Sequence, residues 1–415
     1  MENKISNPIL SIIMPTKNRQ YTALYAIESA LNIKDSNIEI IVQDCSDTII
    51  LKSQIEEKYA GDKRIKYYYT DEPLSMTENW NLAISRASGK YLCAIGDDDA
   101  VLPGILDIVY WMDGQDIDAA LPPYITYLWK DAYLGSFSNS RLTFPRNFDG
   151  SIYKINLEKE FTEKSINCGF GYTENLPNIY HGIIKKDVIK THKIAHGNYL
   201  SGTSFDVYCA MSLSKYTKNI FYIDYPFTIR GVCGKSNANR IVNQNMQAHF
   251  DEIKSLAIPE YLPQLLTCEV SIAESCVTAL LDTKNNELIG KMNLAIVYAK
   301  CVALEPRLFF KLYKQYTFYK NHGYSNSDFF KYLFRFYKEK HKGILINAGI
   351  KYLYKIHPKI CEFMLEKLVT SKVKIKTDNI AEAIEILGAY TEKNQITLGF
   401  DRKIKNIESN RQIWN

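Results

Sequence analysis

The stretch KYLCAIGDDDAVLP, residues 90–103, ends an apolar run with three aspartates in succession. Residues 90–95 predict a buried strand, and the carboxylates that follow it are Asp97, Asp98 and Asp99. Adjacent carboxylates repel one another, whereas a divalent cation such as Mg²⁺ or Mn²⁺ takes oxygen ligands and would neutralise them. The triplet alone also fits a solvated acidic turn, in which Asp99 favours the dipole of a following helix.

Strand and helix patterns alternate on the N-terminal side of this stretch. Apolar runs predict strands at 9–14, 38–43, 65–69 and 90–95. Helical spacing is found between them at Leu24, Ile27 and Leu31, at 49–59, and at Met76, Trp80, Ala83 and Ala87. This alternation predicts an α/β fold with a mostly parallel, Rossmann-like sheet, right-handed crossovers and helices on both faces.

The third of these helices has clear end signals. Ser75 and Glu78 have the spacing of a capping box, and Gly89 has the position expected of a glycine just past the helix end.

Polar segments follow three of the predicted strands. They are PTKNR at 15–19, DCSD at 44–47 and the aspartate triplet. Because ligands bind beyond the carboxyl ends of parallel strands, the three segments are expected to meet at one edge of the sheet.

Length and composition set the class of protein. The 415 residues exceed one ordinary core, and 46% apolar with 23% charged residues is typical of a globular protein. The predicted division is a domain at 1–238, with halves 1–121 and 122–238, and a mostly helical domain at 239–415. A net charge of +5 gives no reason to expect a nucleic-acid partner. Nine scattered cysteines and no signal-peptide pattern indicate a cytoplasmic protein with reduced thiols.

Four segments in order resemble the family 2 glycosyltransferases of GT-A fold. They are SIIMPTKNR, IEIIVQDCSD, MTENWNLAISRASGKYLCAIGDDDAVLP and SFDVYCAMSLSKYTKNIFYIDYPFTIRG. The resemblance runs from about residue 9 to 237 and implies an inverting, metal-dependent transferase with a nucleotide-sugar donor, first of all a UDP-sugar. It also implies a glycan or lipid-linked acceptor from the synthesis of surface polysaccharides such as capsule or lipopolysaccharide.

The resemblance assigns roles to individual residues. Those expected at the nucleotide sugar are Pro15, Thr16, Arg19, Asp44, Asn79, Asp97, Arg230 and Lys235. Asp98 and Asp99 are expected at the metal, although which two of the three carboxylates bind it stays open because Gly96 stands where the family motif begins with aspartate.

Two residues are expected near the acceptor. Asp206 matches the family's base, which deprotonates the acceptor hydroxyl, and its alternative role is that of a first-turn helix acid. His181 is expected in the acceptor pocket, with a purely structural histidine as the alternative.

Residues 307–360 contain twelve Lys or Arg, two acidic residues and fifteen aromatic residues. Basic, aromatic helices of this kind can lie on anionic lipid headgroups, so peripheral contact with the inner face of the cytoplasmic membrane is one prediction. The alternative is a helical domain whose aromatic residues pack inward.

Two other functions compete with glycosyl transfer. The DDDAV segment also satisfies the motif of haloacid-dehalogenase-like phosphatases, with Asp97 as nucleophile and Asp99 as acid and base. That fold needs the motif after its first strand, whereas three predicted strands precede it here. A non-catalytic, glycan-binding transferase-like scaffold is the third possibility.

Overall fold

The aspartate triplet lies at the carboxyl edge of a large mixed sheet covered by helices. The computed structural model describes residues 8–132, 140–171, 174–236, 258–321, 323–338 and 372–406. Its strands are β1 (Leu10–Thr16), β2 (Ile38–Asp44), β3 (Ile65–Tyr69), β4 (Tyr91–Ala94), β5 (Ala100–Val101), β6 (Ala119–Leu121), β7 (Thr126–Leu128), β8 (Arg141–Pro145), β9 (Ile152–Lys154), β10 (Ile183–Lys185), β11 (Ile220–Ile223), β12 (Thr228–Val232), β13 (Lys372–Lys376) and β14 (Lys405–Asn406).

The helices complete the element order. They are α1 (Gln20–Leu31), α2 (Ile50–Lys58), α3 (Met76–Ser85), α4 (Ile105–Gly114), α5 (Leu157–Ile166), α6 (Lys186–His196), α7 (Phe205–Leu213), α8 (Cys268–Asp282), α9 (Asn286–Ile289), α10 (Leu294–Leu304), α11 (Phe309–Tyr319), α12 (326–338) and α13 (Ile380–Lys393). A short 3₁₀ helix, Pro306–Leu308, precedes α11.

The predicted parallel sheet is confirmed. The large sheet has the order β14-β9-β11-β6-β10-β4-β1-β2-β3, and β4, β1, β2 and β3 are all parallel. β10 is antiparallel to both of its neighbours, β4 and β6. The four strands that the apolar runs predict therefore form one half of the sheet, with their carboxyl ends on the same edge.

Alternating side chains of the strands supply two cores. In β1, Leu10, Ile12 and Met14 pack with α1 and α4 on one face, whereas Ile13 packs with α3, α6 and α7 on the other. Both faces of the sheet are thus buried, as the continuous apolar strands predict.

The start of α3 is as predicted, but its end is not. Ser75 and Glu78 form the capping box, and the helix closes at Arg86. Gly89 is therefore not the glycine that ends the helix. Its amide donates to Ser11 Oγ at 2.8 Å, and a Cβ at this position would overlap the Ser11 backbone. The glycine is needed because β4 approaches β1 closely here.

A smaller sheet closes over the triplet. Its order is β13-β8-β7-β12-β5, and β5 begins directly after Asp99. β12 pairs with β5 through Thr228 and Ile229, which brings residues 231–233 against the triplet.

The helical region shares a core with the α/β region through α7. Phe205, Cys209 and Leu213 of α7 face the large sheet, whereas Val207 and Met211 face α8 and α10. α7 has only nine residues, and both of its sides are buried.

The last described segment does not belong to a helical domain. β13 pairs with β8, β14 pairs with β9, and α13 packs Leu387 into the core of the smaller sheet. The predicted division at 239 is therefore corrected for 372–406, which return to the α/β region because its edge strands pair with them. No helix within the described ranges has the length and apolarity required to traverse a bilayer.

Candidate functional site

The three polar segments meet at one edge, as predicted. The Cys45 amide donates to the Thr16 carbonyl oxygen at 3.2 Å, and the Asn18 amide donates to Ser46 Oγ at 2.7 Å. Thr16 Oγ1 donates to Asp97 Oδ2 at 2.6 Å. The loops after β1, β2 and β4 therefore form one polar corner.

The triplet is buried within this corner. Asp97 and Asp99 have no exposed surface, and Asp98 is 4% exposed. Gly96 permits the fold-back of the acidic turn, because a Cβ there would stand 2.9 Å from Asp99 Oδ2 and 3.1 Å from Asp98 Oδ1. The departure from the family motif at Gly96 thus has a local steric reason. The alternative of a solvated acidic turn does not describe these side chains.

Asp97 and Asp98 share one cationic partner, Arg19. Its Nη1 lies 3.0 Å from Asp97 Oδ1 and 3.4 Å from Asp98 Oδ1. The remaining oxygens have neutral donors, Thr16 Oγ1 for Asp97 and the Cys233 amide, at 3.1 Å, for Asp98.

The protonation of these groups reflects burial and mutual repulsion. Burial raises the pKa of Asp98 to about 7, and repulsion from Asp99 and Asp97 adds to this while Arg19 opposes it. Burial likewise raises the pKa of Asp97 against the opposing effect of Arg19. Burial disfavours the charged form of Arg19, but the two carboxylates outweigh it, so its pKa is raised and the guanidinium stays charged.

Asp99 has a different environment from the other two. Its Oδ1 accepts from the Gly231 amide at 2.6 Å, and its Oδ2 accepts from the Gly96 amide at 2.5 Å. His181 Nε2 lies 3.1 Å from Oδ2. Burial acts to raise the pKa of Asp99, but His181 and the backbone donors outweigh it and lower the pKa. Asp99 is therefore an ionised carboxylate whose oxygens are already bound.

His181 lies behind the triplet, away from solvent. It is fully buried and has φ +68°, an uncommon backbone conformation for a residue with a side chain. Burial lowers the pKa of His181, although the neighbouring Asp99 carboxylate opposes this. The observed contact is with Asp99, and a role of His181 at the acceptor stays a prediction.

Sequence reasoning missed the closing strand, β12, and Trp129. Trp129 Nε1 donates to the Asp98 carbonyl oxygen at 2.9 Å, and the Gly231 and Cys233 amides donate to the triplet. A side chain at Gly231 would overlap the Asp98 carbonyl. The available signal was a glycine within an apolar strand pattern, which indicates a close backbone approach.

The other residues predicted to bind the nucleotide sugar line the same edge. Asp44 is buried and accepts from the Tyr67 hydroxyl and the Ser46 amide, both at 2.8 Å. Asn79 Nδ2 donates to the Thr16 carbonyl at 3.3 Å, and Asn79 Oδ1 is buried without a donor among the described residues.

Arg230 and Lys235 flank the corner. The Arg230 guanidinium lies 4.6 Å from the Tyr124 ring centre and 5.8 Å from that of Tyr180. Lys235 Nζ donates to the Asn18 carbonyl at 3.1 Å, which joins the segment after β12 to the loop after β1. Pro15, the last of the residues predicted to bind the nucleotide sugar, is buried within β1.

Asp206 lies in the first turn of α7. Its Oδ1 accepts from the Val207 amide at 3.0 Å, as expected of a first-turn acid. The adjacent Phe205 ring is 4.6 Å from Trp80, which in turn contacts Tyr180 at 5.4 Å between ring centres.

Fold and site together define an α/β domain with a buried acidic corner at the carboxyl edge of its sheet. Residues 11–171, less than half of the chain, match the model of glycosyl transferase family 2. The matched stretch contains β1 to α5, including the three polar loops. This match, which includes the triplet, disfavours the phosphatase interpretation of Asp97 and Asp99.

Curated relatives match the same N-terminal part. The chain is 38% identical over 103 residues to WcaA of Escherichia coli K12, which is assigned to colanic acid biosynthesis as a glycosyl transferase. It is 37% identical over 103 residues to the GalNAc(5)-diNAcBac-PP-undecaprenol beta-1,3-glucosyltransferase of Campylobacter jejuni. The alignments cover 25% and 24% of this chain and 37% and 32% of those proteins, about a third of their length.

Among solved structures, residues 1–349 of Staphylococcus aureus TarS in complex with UDP-GlcNAc are similar at 13% identity and a TM-score of 0.43. The alignment covers 80% of this chain and 92% of that one.

Proposed function

We propose that this chain is an inverting glycosyltransferase that moves a sugar from a nucleotide-sugar donor to a saccharide acceptor. The observation that carries the proposal is the buried acidic corner, formed by three loops within the segment that matches the model of glycosyl transferase family 2. The donor class, the stereochemistry and the base are proposals that extend this family assignment.

The donor nucleotide would lie along the loops after β1 and β2. Asn79 Oδ1 is buried without a donor among the described residues and would accept from a base or ribose, and Asp44 would help to position the nucleotide at the same edge. Arg230 and Lys235 would supply positive charge to the diphosphate. A UDP-sugar is the first donor to test.

Two carboxylate oxygens converge at the triplet and would offer ligands to a divalent cation, Mn²⁺ or Mg²⁺, although no group of three or more His, Cys, Asp or Glu side chains among the described residues is arranged to hold a metal. Asp97 Oδ1 and Asp98 Oδ1 are the oxygens not bound by Thr16 or Cys233, and both lie near the same guanidinium nitrogen. We therefore propose Asp97 and Asp98, rather than Asp98 and Asp99, as the cation ligands, since both Asp99 oxygens already accept hydrogen bonds. A bound cation would supply charge neutralisation to the departing diphosphate.

Asp206 is the proposed base. A carboxylate there would take the proton of the acceptor hydroxyl while that oxygen attacks the anomeric carbon, and the donor's diphosphate leaves from the opposite side. The Trp80 ring contacts the rings of Phe205 and Tyr180, and these rings offer apolar surface next to Asp206.

The proposed acceptor is a polyprenyl-linked or other surface saccharide. Support comes from the name of the Campylobacter relative, which describes a saccharide on undecaprenyl diphosphate. Contact with the membrane is proposed through α11 and α12, whose exposed phenylalanines are Phe310 (84%), Phe318 (79%), Phe330 (46%) and Phe334 (73%).

The test is donor-dependent thermal stabilisation. UDP-, GDP- and TDP-sugars are each added with and without Mn²⁺, and the melting temperature is expected to rise most with one UDP-sugar and the metal together. Transfer to a polyprenyl diphosphate saccharide is then compared for wild type and Asp206→Asn. The variant should keep the thermal shift and lose transfer by at least about a hundredfold. Full transfer by Asp206→Asn would remove the residue from the mechanism, and no shift with any nucleotide sugar would refute the proposed donor class.

A further inference from the structure

One nitrogen of Arg19 stands where two carboxylates converge. Arg19 Nη1 is 3.0 Å from Asp97 Oδ1 and 3.4 Å from Asp98 Oδ1, the two oxygens proposed above as cation ligands. Asp97 has no exposed surface, and its Oδ1 accepts no well-aligned hydrogen bond from the described residues. The guanidinium is therefore the charge that balances this pair.

The backbone around Arg19 is fixed by hydrogen bonds, and its side chain is partly exposed. The Arg19 carbonyl accepts from the Ala23 amide at 3.0 Å and from Thr22 Oγ1 at 3.1 Å, which anchors the residue at the start of α1. The preceding Asn18 is held by Ser46, Asp47 and Lys235. The Arg19 side chain is 23% exposed, unlike the buried carboxylates that it contacts.

A cation and Arg19 cannot use the same two oxygens together. A Mg²⁺ or Mn²⁺ ion lies about 2.0–2.2 Å from its oxygen ligands, which would place it against a guanidinium that carries the same sign of charge. Binding of the cation alone would also leave a largely buried arginine without its partners, and this has a high free-energy cost.

We propose that Arg19 is a built-in counter-ion that a divalent cation must displace, and that the diphosphate of the donor then receives the displaced guanidinium. This inference rests on the proposed function, because it requires a diphosphate ligand. Arginine pairs well with phosphate oxygens, so the nucleotide restores the ion pair that the cation breaks. Cation and nucleotide therefore bind cooperatively, and Arg19 is the source of the coupling.

The test measures Mn²⁺ affinity with and without UDP, from the electron paramagnetic resonance signal of free Mn²⁺. For wild type, saturating UDP is expected to raise Mn²⁺ affinity by about tenfold or more. Arg19→Met should bind Mn²⁺ about tenfold more tightly than wild type in the absence of UDP, and UDP should then add less than about threefold. Arg19→Lys, which keeps the charge, should restore most of the coupling.

The control is Lys17→Met, which removes one positive charge from the same loop at an exposed position. It should behave as wild type, because Lys17 is not the counter-ion of Asp97 and Asp98. If long-range charge alone set the affinity for Mn²⁺, Lys17→Met and Arg19→Met would have the same effect. The inference is overturned if Arg19→Met binds Mn²⁺ no more tightly than wild type without UDP, or if Lys17→Met has the same effect as Arg19→Met.

A second measurement uses wild type and therefore tests the inference even if Arg19→Met does not fold. In wild type with ¹⁵N-labelled arginine, the Arg19 side-chain signal should shift when UDP and Mg²⁺ are both present, and an unchanged signal contradicts the inference. Failure of the proposed function is separate, since it appears as absence of nucleotide-sugar binding and transfer whatever the behaviour of Arg19.

Discussion

At the scale of single residues, the three adjacent aspartates have unequal roles. Asp99 is ionised and held by two backbone amides and His181, whereas Asp97 and Asp98 depend on one arginine. Burial acts to raise the pKa of each of these carboxyl groups. The neighbouring groups then decide whether the net shift is upward, as for Asp98, or downward, as for Asp99. Asp98 is the group whose charge changes near neutral pH.

The raised pKa of Asp98 predicts how stability depends on pH. Its ordinary value of 3.8 applies to the unfolded chain, and its folded value is about 7. Between these values the folded protein keeps a proton that the unfolded chain has released, so the free energy of unfolding falls as pH rises from 4 to 7. Asp98→Asn cannot lose this proton, so at pH 8 it should be more stable than wild type by about 1–4 kcal/mol.

Urea unfolding at pH 5, 6.5 and 8 measures this difference, which should be smallest at pH 5. The exposed Asp401 offers a control, Asp401→Asn, whose stability should follow wild type at each pH. Parallel curves for wild type and Asp98→Asn across this range would show that Asp98 does not titrate there.

A second prediction at the scale of single residues concerns the close backbone approach at Gly231. Gly231→Ala places a Cβ onto the Asp98 carbonyl and displaces the amide that donates to Asp99. We expect a loss of about 2–4 kcal/mol in the free energy of unfolding, together with loss of the donor-induced thermal shift. The matched control is Gly388→Ala in α13, where a Cβ meets open space and should stabilise by up to about 1 kcal/mol. Equal stability of Gly231→Ala and wild type would mean that β12 can move away without cost.

At the scale of elements, local patterns predicted the parallel half of the sheet. β1 to β4 are continuous apolar runs, and α3 has its capping box in the sequence, so nearby residues suffice to define them. The meeting of the loops also follows, because parallel strands end on one edge. The acidic corner could therefore be predicted from the sequence.

The strand pairing that closes this corner could not be predicted from the sequence. β5 has two residues and pairs with β12, more than a hundred residues later, so neither strand has a strong local signal. β13 is a run of alternating lysines whose partner, β8, precedes it by more than two hundred residues. The roles of Gly231, Cys233 and Trp129 depend on these distant pairings, which explains why residue types alone did not indicate them.

The membrane prediction belongs to two helices. On α11, Phe310, Lys314 and Phe318 are spaced by four residues and share one face, and on α12 the same spacing aligns Phe330 with Phe334. The two faces adjoin, because Phe309 packs on both Phe310 and Phe330. Exposed phenylalanines flanked by lysine are typical of contact with an anionic lipid surface.

The double variant Phe310→Ser with Phe334→Ser tests this face. Wild type should sediment with vesicles of phosphatidylglycerol and phosphatidylcholine, and the variant should bind at least about tenfold more weakly because two aromatic rings no longer insert. Ile194→Ser, at a residue 78% exposed on α6, is the control and should bind as wild type. Unchanged binding of the double variant would assign the exposed rings another role.

At the scale of the whole molecule, the described regions form a continuous structure. α7 joins the sheet to the helical core, and residues 372–406 return to the smaller sheet. That sheet includes β12, which supplies backbone donors to the triplet. Packing contributed by the C-terminal segment therefore supports the strand that closes the site.

This arrangement predicts that a C-terminal core residue affects the N-terminal site. Leu387 of α13 is fully buried with Tyr127, Phe144 and Ile229. Leu387→Ala should cost about 2–5 kcal/mol and lower the melting temperature of the same calorimetric transition that a donor nucleotide raises. Leu281→Ala, at a leucine 52% exposed on α8, is the matched control and should change stability by less than about 0.5 kcal/mol. If Leu387→Ala instead moves only a separate transition and leaves the donor-stabilised one in place, 372–406 unfold independently of the site. A shift of the shared transition would mean that residues 372–406 and the site unfold as one cooperative unit, with β12 connecting the packing of that segment to the backbone donors of the triplet.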